Sequence, residues 1–216
     1  MLNNAVDHLL KQEFDSYRAQ GIAHPLMSAY GLQARPVDHE ELEKWRHNFT
    51  GIEYTHTLTG ITFYGAIDDL WKDTDGKYIV VDYKATAKDY PVTELYDGGW
   101  HDSYRRQLEF YQWLLTQKGM NVSKTGYFVY CTAKKDAKAF DAKLEFSINL
   151  IPYKYSRMDR ANYRRTKKTS LMPRHYLRPT LNAHIANIEN QLTYVSMDSF
   201  SRSFPRWKGL SINTTT

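Results

Sequence analysis

A chain of 216 residues, 42% hydrophobic and 14% aromatic, has the material for one domain with a real core. No apolar run approaches the roughly 20 residues that span a bilayer, and the single cysteine, Cys131, excludes an intrachain disulfide or a cysteine-rich metal cluster. The net charge of +5 is uneven: residues 154–178 hold nine Lys/Arg against Asp159 alone, while residues 1–153 carry 17 basic and 21 acidic groups, so charge by itself does not argue for a nucleic-acid partner. With no signal-peptide pattern at the N-terminus, a cytoplasmic protein without a membrane partner is expected.

Residues 5–20 place Val6, Leu9, Leu10, Phe14 and Tyr17 at helical spacing, with Gly21 as the stop. His24-Pro25 and the apolar piece Leu26–Leu32 follow. Pro36 breaks the chain, and Asp38 is placed to cap a helix through His47, with Glu41 completing a capping box. From Gly51, the stretches GIEYTHTL and GITFYGAIDDLW read as strands joined tightly at Thr59-Gly60. Asp75-Gly76 marks a hairpin turn within Asp73–Lys77. The same acidic turn is not an EF-hand, which would start at Trp71 and need Glu where Asp82 stands.

Tyr78–Lys84 comes next, and its block Ile79-Val80-Val81 suits a buried central strand. Alternation puts Asp82 and Lys84 on one face of that strand and Tyr83 on the other. Two carboxylates and an ammonium near one strand end, with an Asp supplied by the preceding strand, are the equipment of a divalent-metal site that hydrolyses a phosphodiester. The polar link ATAKDYPVTELYDGGW, with Pro91 and Gly98-Gly99, opposes regular structure and is long enough to be a functional loop. His101–Lys118 is the strongest helix, with Tyr104, Leu108, Tyr111 and Leu115 on one stripe and Gln107 sharing a face with Tyr111. Gly126–Thr132 and Lys143–Ile151 read as two more strands. The expected order is helices, three antiparallel strands, a helix and two strands in one α/β layer. Beyond it, Leu181–Val195 has helical spacing and the final residues are Ser/Thr/Phe-rich.

The motif GAID lies with its Asp68 fourteen residues before Asp82-Tyr83-Lys84, and Gln107-x-x-x-Tyr111 follows in the next helix. In this order the motifs resemble the PD-(D/E)XK nuclease superfamily, and QLEFY resembles its RecB-like exonuclease branch, over roughly residues 5–153. The resemblance implies an α/β fold with a restriction-endonuclease-like central mixed sheet flanked by helices. It implies a DNA nuclease dependent on Mg²⁺ or Mn²⁺, an exonuclease or a structure-dependent enzyme. Its substrate would be single-stranded DNA or DNA ends, in repair, recombination or phage and mobile-element processes, and a helicase or recombination protein is an expected partner. Asp68 and Asp82 would be the carboxylate ligands and the backbone carbonyl of Tyr83 a third oxygen. Lys84 would stabilise charge on the phosphate or position the attacking water, and Gln107 and Tyr111 would reach the substrate backbone or support the site. The branch also places a metal-binding histidine upstream; His24 is the choice, with His8, His47 and His56 as competitors.

Alternatives remain beside these assignments. Periodicity does not say whether Asp68 or Asp69 faces the site, and Glu13 and Glu53 are reserve carboxylates. Asp and Lys near a strand end commonly form only a weak surface ion pair, and the competing function is a non-catalytic nucleic-acid-binding module or a nuclease-like subunit of a larger assembly. Members of the RecB-like branch often end in a cysteine-bearing segment, which residues 154–216 lack, so no iron–sulfur cluster is expected. Read one nucleotide later, permissible codons for Met158–Thr169 give a more amphipathic peptide. The tail is therefore expected to be frameshifted or poorly ordered.

Overall fold

The apolar block Ile79-Val80-Val81 sits in the middle strand of the sheet, and all three side chains are buried. The computed structural model describes residues 2–57 and 60–155. Their elements are α1 (Leu2–Gln20), α2 (Pro25–Ala29), β1 (Ala34–Pro36), α3 (Leu42–Arg46), β2 (Ile52–Thr55), β3 (Thr62–Gly65), β4 (Asp69–Asp73), β5 (Tyr78–Ala87), α4 (Gly99–Gln117), β6 (Thr125–Ala133) and β7 (Phe146–Lys154). Five strands form one sheet in the order β1-β4-β5-β6-β7, and β2 and β3 pair in a ribbon of their own. Only β5 and β6 run parallel in the larger sheet. A parallel pair needs a long crossover, and α4 supplies it. This is a restriction-endonuclease-like mixed sheet flanked by helices.

Alternation along β5 divides the core in two. Val80 joins Leu70, Leu108, Leu114, Leu115 and Phe128 on the α4 side. Ile79, Val81 and Tyr83 join Leu10, Phe14, Trp71 and Val129 on the α1 side. Of the predicted α1 stripe, Leu10 and Phe14 are buried, whereas Leu9 is exposed. No helix among the described residues is long and apolar enough to cross a membrane.

Three sequence expectations are corrected. The segment GITFYGAIDDLW is two strands, not one: the ribbon ends at Gly65 and β4 begins at Asp69. The break has a packing cause. A Cβ on Gly65 would lie 2.6 Å from Tyr111 Cε1, and the Ile67 N–H turns away to donate to the Trp45 carbonyl at 3.1 Å. The expected Asp38–His47 helix contracts to α3, because residues 38–41 form a turn in which His39 Nδ1 accepts from the Glu41 N–H at 3.2 Å and the His39 carbonyl accepts from Leu42 at 2.9 Å. Asp38 therefore caps nothing, and Glu41 stands at the N-cap without a side-chain bond. Strand β1 was not anticipated; three residues ending in Pro36 carry no readable period, and proline is at home on a sheet edge. The Thr59-Gly60 turn, whose Thr59 is not described, the Leu181–Val195 helix and the expected state of the tail beyond Tyr155 lie outside the described residues.

The Gly65 contact yields a prediction. Tyr111 is buried and its ring would have to shift to admit the new methyl, so Gly65→Ala should cost about 1–3 kcal/mol through overpacking. Urea unfolding of the two proteins measures it.

Candidate active site

The site begins where β4 runs out. The β4–β5 register ends at Asp69↔Val81, and Asp68, one residue outside the ladder, folds its Oδ2 back to accept the Tyr83 N–H at 2.8 Å. In a strand, a residue's N–H and carbonyl leave on the same edge. The Tyr83 carbonyl therefore also faces the edge that Asp68 occupies, past the last β4–β5 pair. Asp82 and Lys84 project on the α4 side of β5. Asp82 is buried, and its Oδ2 meets the Lys84 ammonium in an ion pair.

Lys84 is held on three sides. Besides Asp82, its Nζ donates to Gln107 Oε1 at 3.2 Å and lies 4.6 Å from the centre of the Tyr104 ring. Gln107 Nε2 in turn donates to the Tyr111 hydroxyl at 2.8 Å, which fixes the amide on α4. Across the cleft, Lys11 of α1 lies 3.7 Å from Asp68 Oδ1 and 2.9 Å from Asp7 Oδ2. Asp68, Asp82, Tyr83, Lys84, Gln107 and Tyr111 all line this cleft of about 1240 Å³.

Charges in it are tightly balanced. Burial and the nearby Asp82 carboxylate push the Asp68 carboxyl up to about 7, against the pull of Lys11 and Lys84. Burial also raises Asp82, although Lys84 opposes the shift. Burial would lower Lys84, but the Asp82 and Asp68 carboxylates outweigh it and hold the ammonium charged. Burial drives the Tyr111 hydroxyl well above its ordinary range, so it stays a neutral partner for Gln107.

Two carboxylates that disfavour joint ionisation, facing one cleft beside a backbone carbonyl, fit a hard divalent cation. No group of three or more His, Cys, Asp or Glu side chains converges among the described residues. A cation here would rest on Asp68, Asp82 and the Tyr83 carbonyl, completed by water and substrate. That donor set suits Mg²⁺, which keeps its waters and commonly binds through one or two carboxylates.

The other sequence candidates separate. His24 is not brought to this cleft: its Nδ1 accepts from the Leu26 N–H at 3.1 Å as the cap of α2, its Nε2 pairs with Glu13 at 2.9 Å, and its ring stacks on Phe14. Both nitrogens are spent on local structure, and His8 is the histidine that lines the cleft. Glu13 is the partner of His24, and Glu53 sits exposed on the ribbon. Asp69 neither faces solvent nor enters the cleft. It is fully buried, and its oxygens take bonds from Arg18, from Arg46 at 2.6 Å, from the Leu70 N–H at 2.8 Å, from Trp71 Nε1 at 2.8 Å and from the Tyr83 hydroxyl at 2.9 Å.

Sequence reasoning missed Lys11 and the placement of Tyr104. Asp7 and Lys11 read as an ordinary i,i+4 helix pair, and nothing local ties that helix to Asp68. Tyr104 was read only as a member of the α4 core stripe, and its contact with Lys84 depends on the crossover. A family model described as the PD-(D/E)XK nuclease superfamily matches residues 1–194. No curated protein and no solved structure matches the chain.

Proposed function

The chain belongs to the PD-(D/E)XK nuclease superfamily, and on that premise we propose that it is a DNA nuclease dependent on Mg²⁺ or Mn²⁺, of RecB-like kind. The observation that carries this reading is the convergence of Asp68 and the buried Asp82 on one open cleft, beside the Lys84 ammonium. Asp68, Asp82 and the Tyr83 carbonyl would hold the cation, which when bound supplies neutralising charge to the phosphate and makes a water molecule more acidic.

The chain's own residues do the rest. Asp68 and Asp82 fix the position of charge because one is bonded to the Tyr83 backbone and the other is buried in the sheet. Lys84, kept protonated by these carboxylates, serves as a fixed positive charge beside the phosphate and not as a general base. Gln107 orients that ammonium, and Tyr111 orients Gln107. Removing Gln107 (Gln107→Ala) is expected to slow single-turnover cleavage about 10- to 100-fold, the usual cost of losing a residue that orients a site group.

The test is a cleavage assay on end-labelled single- and double-stranded DNA with Mg²⁺, with Mn²⁺ and with EDTA. Cleavage that requires the metal supports the reading; no cleavage of any substrate under any of these conditions sinks it. The Lys84–Asp82 ion pair favours one alternative, a cleft that binds DNA but keeps its carboxylates closed to metal. Calorimetry with Mn²⁺ on wild type and Asp68→Ala separates the two, because that alternative gives no heat of metal binding in either protein. A place in repair, recombination or mobile-element processes, with a helicase as partner, follows from the RecB-like resemblance and is tested by co-purification.

A further inference from the structure

The two ammonium groups that line the cleft are held in different ways. Lys84 is braced on β5 by Asp82, by Gln107 Oε1 at 3.2 Å and by the face of the Tyr104 ring. Lys11 reaches in from α1 and donates to Asp7 Oδ2 at 2.9 Å, one turn earlier on the same helix. It lies 3.7 Å from Asp68 Oδ1, a charge contact beyond hydrogen-bond range. A lysine head on a flexible four-carbon stem is easily moved, and the closer tie of this one is to its own helix. The Asp7–Lys11 pair can therefore persist after Lys11 leaves Asp68.

The position of Lys11 matters because of how Asp68 is used. Asp68 Oδ2 accepts the Tyr83 N–H at 2.8 Å, and Oδ1 is the oxygen near Lys11. Oδ1 is thus the oxygen that Asp68 can offer a divalent cation, and an ammonium already stands beside it. Two positive centres at one carboxylate oxygen repel, and water screens them poorly here, because the Lys11 and Asp68 side chains are only 21% and 25% exposed. Asp7 gives the ammonium somewhere to go, since its own side chain is 39% exposed and one helical turn away. Asp7 and Lys11 then cancel each other. Asp68, Asp82, Lys84 and a divalent ion together keep one positive charge, which a single phosphodiester neutralises.

We propose that Lys11 is a built-in counter-ion of Asp68 that gives way to the divalent cation, with Asp7 as the post that keeps it. This rests on the nuclease reading above and names the residues that set its metal affinity. Lys11 acts as a brake on metal binding, and Asp7 releases the brake. The test is calorimetry of Mn²⁺ binding to the full chain, without DNA. It compares wild type, Lys11→Met, Asp7→Asn and the double variant; methionine keeps an apolar stem and removes the charge.

Lys11→Met is expected to bind Mn²⁺ about tenfold tighter than wild type, the scale on which groups touching a metal ligand move affinity. Asp7→Asn should bind it about tenfold more weakly, because Lys11 then has Asp68 alone to hold. On the Lys11→Met background, Asp7→Asn should change the affinity by less than about twofold, which separates release of Lys11 from a general loss of negative charge. Misfolding weakens metal binding, so a tighter Lys11→Met cannot be a damaged protein. Affinity of Lys11→Met equal to or weaker than that of wild type, no Mn²⁺ binding by either protein, or an Asp7→Asn loss of the same size in both backgrounds would each overturn the proposal. Failure of the nuclease reading is distinct: the affinities would follow this pattern while neither wild type nor Lys11→Met cuts DNA with Mg²⁺ or Mn²⁺.

Discussion

Replacing Asp69 by Ala is expected to cost about 3–5 kcal/mol, the scale for removing one partner of a buried ion pair. Two guanidiniums, Arg18 and Arg46, meet this carboxylate, and their side chains are only 7% and 6% exposed. Without Asp69, Arg46 keeps Asp15 at 2.9 Å and Glu43 at 3.3 Å, and Arg18 keeps Asp15 at 3.4 Å, all at the more exposed edge of the network. The Trp71 indole N–H and the Tyr83 hydroxyl would also lose their acceptor inside the α1-side core. Leaving buried donors unpaired costs more than the bonds they made. Urea unfolding measures the loss, and a cost below about 1 kcal/mol would contradict this account of the network. Asp69→Asn should fall between the two, because the amide keeps one acceptor oxygen but not the charge.

Asp68→Asn should have the opposite profile. Cleavage is expected to fall by about 10²–10³-fold or more, since a positioned charge in a catalytic site carries an effect of that order. Stability without metal should rise at neutral and alkaline pH. The sign follows from linkage. The folded protein holds the Asp68 carboxyl near 7, above its ordinary 3.8, through burial and the Asp82 carboxylate. That residue's contribution to stability is therefore complete below about pH 4 and is lost as the pH rises through about 7. Asparagine stays neutral and can still accept the Tyr83 N–H, so the variant should unfold at a higher temperature than wild type at pH 8 and at the same temperature at pH 4. A melting series across that range, in EDTA, would refute this assignment if the two curves run parallel. Asp82→Ala and Lys84→Ala should likewise abolish metal-dependent cleavage; activity equal to wild type would indicate a contaminating nuclease.

How far the sequence reached depends on whether a feature is local. Alternation alone placed Asp82 and Lys84 together with Tyr83 opposite, and the structure has that arrangement. Asp75-Gly76 announced the β4–β5 hairpin because the turn's demand for positive φ is met within the turn, at Gly76. The Gln107–Tyr111 pairing was also local, one helical turn apart. Three features were not local. The choice between Asp68 and Asp69 is made by where the β4–β5 ladder ends, at Asp69↔Val81, a boundary that no short pattern marks. His24 lies near the first helix in sequence and folds back onto Phe14 and Glu13 of that same helix, which consumes it as a cap. Lys11 reaches Asp68 only because α1 packs on β5, a contact between distant segments that no short pattern encodes.

The consequence of the β5 alternation reaches past this one protein's chemistry. At Asp82, Tyr83 and Lys84 the duties of folding and of reaction are dealt to successive residues: Tyr83 is bound into the Asp69 network, while its neighbours on either side face the cleft. Selection against misfolding therefore bears on position 83 through the Asp69 network, and on 82 and 84 as a pair, because losing one would strand a buried charge while losing both leaves none. A lineage released from the need to cut could lose the two cleft residues together and still produce a sound sheet.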